Sequence, residues 1–296
     1  MRSMTSCKFS DRFSNCAFRN FLPNQPPFKL GKFRYGTMIY YYYDVYVASS
    51  LEQYGEWSQL EIDFMCDLLE PGDTVVDAGA FIGTHTLAFG HKVGSNGRVL
   101  AFEPTKESYY CLAGNLMINN LYKADAFQLA LGKENGILDV IIMGDVNHIN
   151  NYGATGSIEH AYIDAQYISK NNTKKVEMRS LDSFNLDKCK LIKGDVEGMG
   201  LSILEGAKKT IKKCKPCIFT EVASPTDGKS IAEIAENRKL IEFITGFGYA
   251  VYDATSPLFN PNNYFRNSKN VFPGIVSFAV FCCPSDWKIA GLTKLA

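Results

Sequence analysis

Apolar and polar positions along the chain change period from segment to segment, and each change marks an element. In "TVVDAG" an unbroken apolar run ends on Asp77 and Gly79, which predicts a buried strand running into a tight turn. After Gly83, "THTLAFGHKVG" returns apolar residues at helical spacing. "GRVLAFEP" predicts the next strand, "KESYYCLAGNLMINNL" a helix and "AFQLALG" a third strand. This strand–helix alternation predicts a parallel sheet with helices on both faces. Alternation resumes with "CKLIKGDVEG", "MGLSILEGAKKTIKKC" and "PCIFTEV" as strand, helix and strand. The stretch "SIAEIAENRKLIEFITGFG" then reads as a long helix, and "YAVYDAT" and "GIVSFAVFCC" as closing strands.

Upstream the pattern is less regular. Residues 1 to about 35, with "FRNFLPNQPPF", read as an irregular arm. The run "TMIYYYYDVYVASSL" reads as one or two extended segments packed on the main body. In "SQLEIDFMCDLLEPGD" a serine cap precedes Leu60, Phe64 and Leu68 at helical spacing, and Pro71-Gly72 stops the helix. Between about 135 and 185, "GILDVIIMGD" and "KKVEMRSLDSF" read as extended, with polar sequence between them. The expected layout is an arm with extended cap segments over 1–54 and one domain over 55–296, carrying a β-rich insertion at about 135–185. The expected fold is α/β, a Rossmann-like doubly wound sheet, mostly parallel with an antiparallel closing strand.

Composition adds mainly exclusions. The 296 residues carry no formal net charge, so no overall field draws nucleic acid or an anionic membrane. Lys208, Lys209, Lys212, Lys213 and Lys215 lie near a predicted helix end, where cations complement the dipole. No uninterrupted apolar run is long enough to span a membrane. The nine cysteines include one C-x-x-C, Cys214 and Cys217, with no second pair at zinc spacing. Reduced thiols and a first stretch without an apolar signal region lead us to expect a cytoplasmic protein.

The glycine turn decides the ligand class. A dinucleotide site needs G-x-G-x-x-G so that bare backbone can approach a pyrophosphate. Here the stretch is Gly79-Ala80-Phe81-Ile82-Gly83-Thr84, and Phe81 stands where that backbone would have to be. S-adenosylmethionine has no phosphate and tolerates a bulky residue in the turn. Asp77 is then expected to take its ammonium, directly or through water, and Gly79 to admit its amino-acid end. Glu103, closing the second strand, is expected to accept both ribose hydroxyls.

With these residues in hand, the sequence resembles the FkbM family of S-adenosylmethionine-dependent methyltransferases from about Gly36 to Pro284. "SLEQYGEWSQLEIDF" resembles the family's entry segment, and "GDTVVDAGAFIGTHTLAF…GRVLAFEP" its cofactor loop and ribose acid. "LDSF…LIKGDVEGMGLSILEGA…PCIFTEV" resembles its second half, and "NYGATGS" a glycine-containing segment of its insertion. The chain departs from the family at Phe81, where Asn is common, and at Ala78, where Gly is often found. The resemblance implies a sheet of class I methyltransferase type and O-methylation, often of a sugar or polyketide hydroxyl.

A hydroxyl acceptor needs its proton removed as the methyl arrives. Asp195 and Glu197 stand two apart after the fourth strand, and Glu221 ends the fifth at the same sheet edge. These three, with His85 on the helix after the loop, are the expected catalytic groups. The expected cofactor set is Glu56, Asp77, Gly79, Ala80, Phe81, Gly83, Thr84, Glu103 and Asp195. No metal is expected, although Asp195 and Glu221 offer the oxygen ligands a divalent ion would use. His148 and His160 fall in the insertion. The expected partner is a hydroxylated small molecule or glycan, without nucleic acid or membrane insertion, and a homo-oligomer is compatible. The competing readings are an amino-group methyltransferase, a non-catalytic protein on the same fold, and a dehydrogenase.

Overall fold

The computed structural model describes residues 27–141, 150–153, 173–225, 230–287 and 289–296. Residues 1–26 of the expected arm, His148, His160 and the "ATGS" of "NYGATGS" lie outside the described residues.

The described chain opens with a hairpin, β1 (Phe28–Phe33) and β2 (Gly36–Tyr41), inside the stretch expected to be partly irregular. Phe28 pairs with Tyr41 and Phe33 with Gly36. The tyrosine-rich run is not all extended: its second half forms α1 (Val47–Tyr54). Asp44 makes the difference. Its Oδ1 accepts from the backbone N–H groups of Tyr46, Val47 and Ala48 at 3.1, 2.6 and 3.2 Å. These are donors that a helix start leaves without partners. In α2 (Gln59–Asp67) the buried side is Ile62 and Met65, continued by Leu69, while Leu60 is 37% exposed. Ser58 does not cap it. Its backbone is left-handed, φ 46°, and its hydroxyl donates to Glu61 instead, at 3.1 Å.

The alternating centre follows as β3 (Thr74–Ala78), α3 (Thr84–Val93), β4 (Arg98–Phe102), α4 (Lys106–Ile118) and β5 (Ala124–Phe127). A small separate sheet of β6 (Ala130–Leu131), β7 (Gly136–Ile141) and β8 (Thr173–Arg179) has the order β6-β8-β7. Then come β9 (Leu191–Gly194), α5 (Gly200–Glu205), α6 (Lys208–Cys214) and β10 (Cys217–Glu221). One continuous helix was expected where α5 and α6 stand. The break falls at Gly206, where a Cβ would overlap the carbonyl of Gly132. The chain closes with α7 (Ala235–Thr245), β11 (Tyr249–Asp253), β12 (Ser256–Pro257), β13 (Val276–Ser277), β14 (Ala279–Pro284) and β15 (Thr293–Lys294).

The main sheet has the order β15-β11-β14-β10-β9-β3-β4-β5. Strands β5, β4, β3, β9 and β10 are mutually parallel, and β14 runs antiparallel between β10 and β11. All five residues of β3 are buried, as befits a parallel strand covered on both faces. Val76, Leu100, Ile192 and Ile218 join Ile203, Ile211 and Ile244 of α5, α6 and α7 in one core cluster. Val75, Val99, Leu191 and Phe219 join Met65 of α2 and Phe89 of α3 in another. The fold is therefore the doubly wound, Rossmann-like sheet, mostly parallel, with β14 and the short edge strand β15 antiparallel to the rest. Strand order turns from one direction to the other between β3 and β9, which is where such sheets hold ligands. Among the described residues no helix is long and apolar enough to cross a membrane.

Candidate active site

Register builds the site. Phe102, Ala78, Gly194 and Thr220 stand in one row across β4, β3, β9 and β10. The next residue along each strand is Glu103, Gly79, Asp195 and Glu221. Three strand spacings separate the outer two, roughly 14 Å. All four line a cavity of about 340 Å³. Ala80, Phe81, Thr84, His85 and Glu197 also line it, so most of the expected site residues meet there.

Glu103 closes one end. Its Oε2 accepts the Phe81 N–H at 2.9 Å and its Oε1 the Thr105 N–H at 2.7 Å. Each oxygen keeps a lone pair for a ligand. Burial raises its pKa to about 7, against the pull of those two N–H groups. Phe81 is held in the left-handed region at φ 48°. Asn adopts that region more readily than Phe. The ring compensates by stacking on Tyr41, centroids 5.4 Å apart and planes at 4°. Tyr41 in turn stacks on Tyr152 at 4.8 Å, and Asp44 takes the Tyr152 N–H at 2.9 Å.

The other end is acidic. The buried Glu221 carboxyl faces the Asp195 side chain and the Glu197 backbone, and its Oε2 has no hydrogen-bond partner among the described residues. Burial, then the charges of Asp195 and Glu197, push its carboxyl well above the usual range. Burial and Asp195 push the half-buried Glu197 up to about 7. Glu197 sits at φ 44°, a strained backbone for a residue with a side chain. His85 is buried, and burial followed by the Lys193 charge lowers it to about 4, so its ring is neutral. Its Nε2 lies 3.9 Å from Glu61. Among the described residues no group of three or more His, Cys, Asp or Glu is arranged to hold a metal ion.

Two cavity residues escaped the sequence reading. Lys193, buried in β9, donates to the Gly79 carbonyl at 2.9 Å. It lies 3.1 Å from Asp77 and 3.5 Å from Asp195. Burial alone would pull the lysine down, but Asp77 and Asp195 outweigh it and the net shift is upward. Glu61, buried in α2, accepts from Ser58 and from Ser256 at 3.2 Å. A lone lysine inside an apolar strand was the signal for the first. Nothing in the sequence marked the second.

Three expected cofactor residues stand differently from the sequence reading. Asp77 is fully buried and absent from the cavity wall, because Lys193 and the Thr86 hydroxyl, at 2.6 Å, engage it from behind. Gly83 does not line the cavity either. It starts α3 at φ 91°, and a Cβ there would press Leu112 at 2.8 Å. Glu56 is also absent from the wall. It accepts from Arg34 at 3.0 Å, Asn260 at 2.8 Å and the Tyr264 N–H at 2.8 Å, tying the β1–β2 turn to the 260–264 strap. Glu56→Ala is expected to lower stability by roughly 2–3 kcal/mol, less than a fully buried pair would lose. Arg34 is 32% exposed and can rehydrate. Urea unfolding checks the loss, and ligand affinity in the cavity should not change.

With this arrangement in place, residues 77–251 match the model of the Methyltransferase FkbM domain. The chain belongs to the FkbM methyltransferase family. A fungal relative, Methyltransferase 1 of Beauveria bassiana (strain ARSEF 2860), is 27% identical over 148 residues, 46% of this chain. The match spans 59% of the length of that curated relative. Among solved structures, the FkbM methyltransferase of Methylobacillus flagellatus KT is similar at TM-score 0.45 and 15% identity, over 72% of this chain and 44% of that one. The precorrin-6y C5,15-methyltransferase of Geobacter metallireducens GS-15 is similar at 0.44 and 12%, over 82% and 98%. The strand order, not these superpositions, defines the fold of this FkbM-family chain.

Proposed function

We propose that this chain is an S-adenosylmethionine-dependent O-methyltransferase whose acceptor is an uncharged hydroxyl compound, a sugar or glycan. The observation that carries the reading is the pair of carboxylates, Glu103 and Glu197, on either side of the Gly79 turn in one cavity. The cavity suits a cofactor without phosphate. Lys193 is the one lysine or arginine among its described lining residues, and Asp77 already neutralises it. Glu103 offers two acceptors for adjacent ribose hydroxyls, and Phe102, Pro104, Leu131 and Leu138 offer an apolar wall for a purine. The Gly79–Phe81 backbone and Thr84 border the space left for the amino-acid end.

When bound, the sulfonium cofactor supplies a methyl carbon already activated by its positive sulfur. The chain's part is to orient the acceptor and take its hydroxyl proton. Glu197 suits that task. No side chain among the described residues hydrogen-bonds its carboxyl, and a pKa of about 7 matches it to neutral pH. Glu61, Glu103, Asp195, Glu197 and Glu221 line the cavity against a single, already paired lysine. Among the described residues, a phosphate or carboxylate on the acceptor would find no unpaired cation there. Tyr46 and Trp57, beside Leu258 and Ile275, supply flat apolar surface of the kind that packs on a sugar ring.

Calorimetric titration with S-adenosylmethionine and, separately, NAD tests the cofactor class. Saturable binding of the first alone, lost in Glu103→Ala, is the expected result, and tight NAD binding would refute it. Affinity should also depend on pH. Glu103 must be ionised to accept two hydroxyls, so binding is full above about pH 7 and weakens by about tenfold per unit below it. Titrations with S-adenosylhomocysteine at pH 6, 7 and 8 check this, and Glu103→Gln should flatten the dependence. With the cofactor class in hand, radiolabelled transfer to methyl glycosides and to their phosphate esters tests the acceptor. Only the uncharged glycosides should be methylated.

A further inference from the structure

Resting on that reading of the cofactor, we infer that its α-ammonium is bound by Asp195, anchored by Lys193, and that Asp77 is only the lysine's buried counter-ion. Asp77 has no accessible surface and does not line the cavity. Its Oδ2 takes the Thr86 hydroxyl at 2.6 Å, and its Oδ1 lies 3.1 Å from Lys193 Nζ. A ligand in the cavity therefore does not reach it directly. The Asp195 side chain is 47% exposed and faces the same cavity as the Gly79 turn.

Charge counting favours the same assignment. The lysine has three hydrogens, and three oxygens surround it: the Gly79 carbonyl at 2.9 Å, Asp77 at 3.1 Å and Asp195 at 3.5 Å. Asp77 balances the lysine within the buried layer. Asp195 is left as one surplus negative charge at the mouth, where a single ammonium would balance it. Its backbone is fixed as well, by the Asp195 N–H to Ala78 carbonyl bond at 3.0 Å. The ammonium site is thus held by β9, not by the acid of the glycine turn.

Paired ligands test this without any turnover. S-adenosylhomocysteine carries the ammonium; 5′-methylthioadenosine keeps the nucleoside and lacks it. Asp195→Asn should weaken the first by about 10- to 100-fold, the range of a charge-assisted hydrogen bond, and the second by less than about twofold. The double variant Lys193→Met/Asp77→Asn removes the buried pair together, and Asp195, with its side chain 47% exposed, can be solvated without the lysine, so the variant should fold. It keeps Asp195 charged and should retain the preference for S-adenosylhomocysteine to within about fivefold. Equal loss of both ligands in Asp195→Asn, or no loss, overturns the inference. So does a preference that vanishes in the double variant while surviving Asp195→Asn. If the unmodified protein binds neither ligand, the cofactor reading itself has failed, and this inference falls with it.

Discussion

Glu197→Gln is expected to lower kcat for methyl transfer by about 10²–10⁴-fold while changing S-adenosylmethionine affinity by no more than about twofold. The three acids after β9 and β10 are not equivalent. Asp195 has Lys193 at 3.5 Å and the Glu221 carboxyl as partners. Burial and the charges of Asp195 and Glu197 push the Glu221 carboxyl upward, away from the ionised form a base needs. Glu197 is half-buried, and burial with the Asp195 charge holds its pKa at about 7. Glutamine in its place keeps the size and cannot take a proton. The sign of the pH dependence follows. The base works ionised, so kcat/KM should climb as pH rises through about 7 and then level off. Glu197 and Glu221 feel the same neighbouring charges, so the inflection belongs to the pair rather than to one residue. Glu221→Gln should cost far less, because that carboxyl is already held away from the ionised form. Initial rates for both variants from pH 5.5 to 9 decide the matter. A Glu197→Gln enzyme at near full rate would exclude Glu197 as the base.

Much of the fold was legible because its signals are local. The apolar run of β3, the glycines after it and the helical spacing of α3 each follow from a few neighbouring residues. The acid ending β4 could be assigned because a strand's last residue must stand at the sheet edge. What the sequence hid depends on contacts between distant segments. The run "SQLEIDF" shows a helix, but not that Glu61 turns toward the cavity, where Ser256 holds it from 195 residues away. Lys193 is legible as a lysine in a strand, yet its partner Asp77 belongs to a neighbouring strand. That pairing turned the acid of the glycine loop inward. Glu56 stood next to an aromatic in a promising segment, and its partners Asn260 and Tyr264 come from the other end of the chain. Asp44 was a local signal overlooked. An acid just ahead of a helix can accept its first free N–H groups, and the tyrosines around Asp44 suggested a strand instead.

The same distinction makes Gly79 the most sensitive position in the site. The sequence suggested that a side chain there would strike the ligand. In the structure it would strike the protein first: a Cβ on Gly79 would overlap the Asp195 carbonyl oxygen and approach its carbon at 2.9 Å. The glycine is also left-handed, φ 73°. Alanine in that region costs about 1–2 kcal/mol. Forcing two well-packed backbones apart costs about 1–3 kcal/mol more. Neither partner can yield cheaply. Gly79 donates its N–H to the Phe102 carbonyl at 3.0 Å and receives Lys193 on its own carbonyl, while the Asp195 N–H is held by Ala78. Gly79→Ala is therefore expected to lose roughly 2–5 kcal/mol of stability, read by urea unfolding. It should also push β9 away from β3, so that Lys193, Asp195 and Glu197 move together relative to Glu103. Binding of S-adenosylhomocysteine should then fall even where the variant is still folded. Binding of 5′-methylthioadenosine, anchored on the Glu103 side, should fall less. If the closeness of β3 and β9 is not what sets the site, Gly79→Ala would unfold at the same urea concentration as the unmodified protein and bind both nucleosides as tightly.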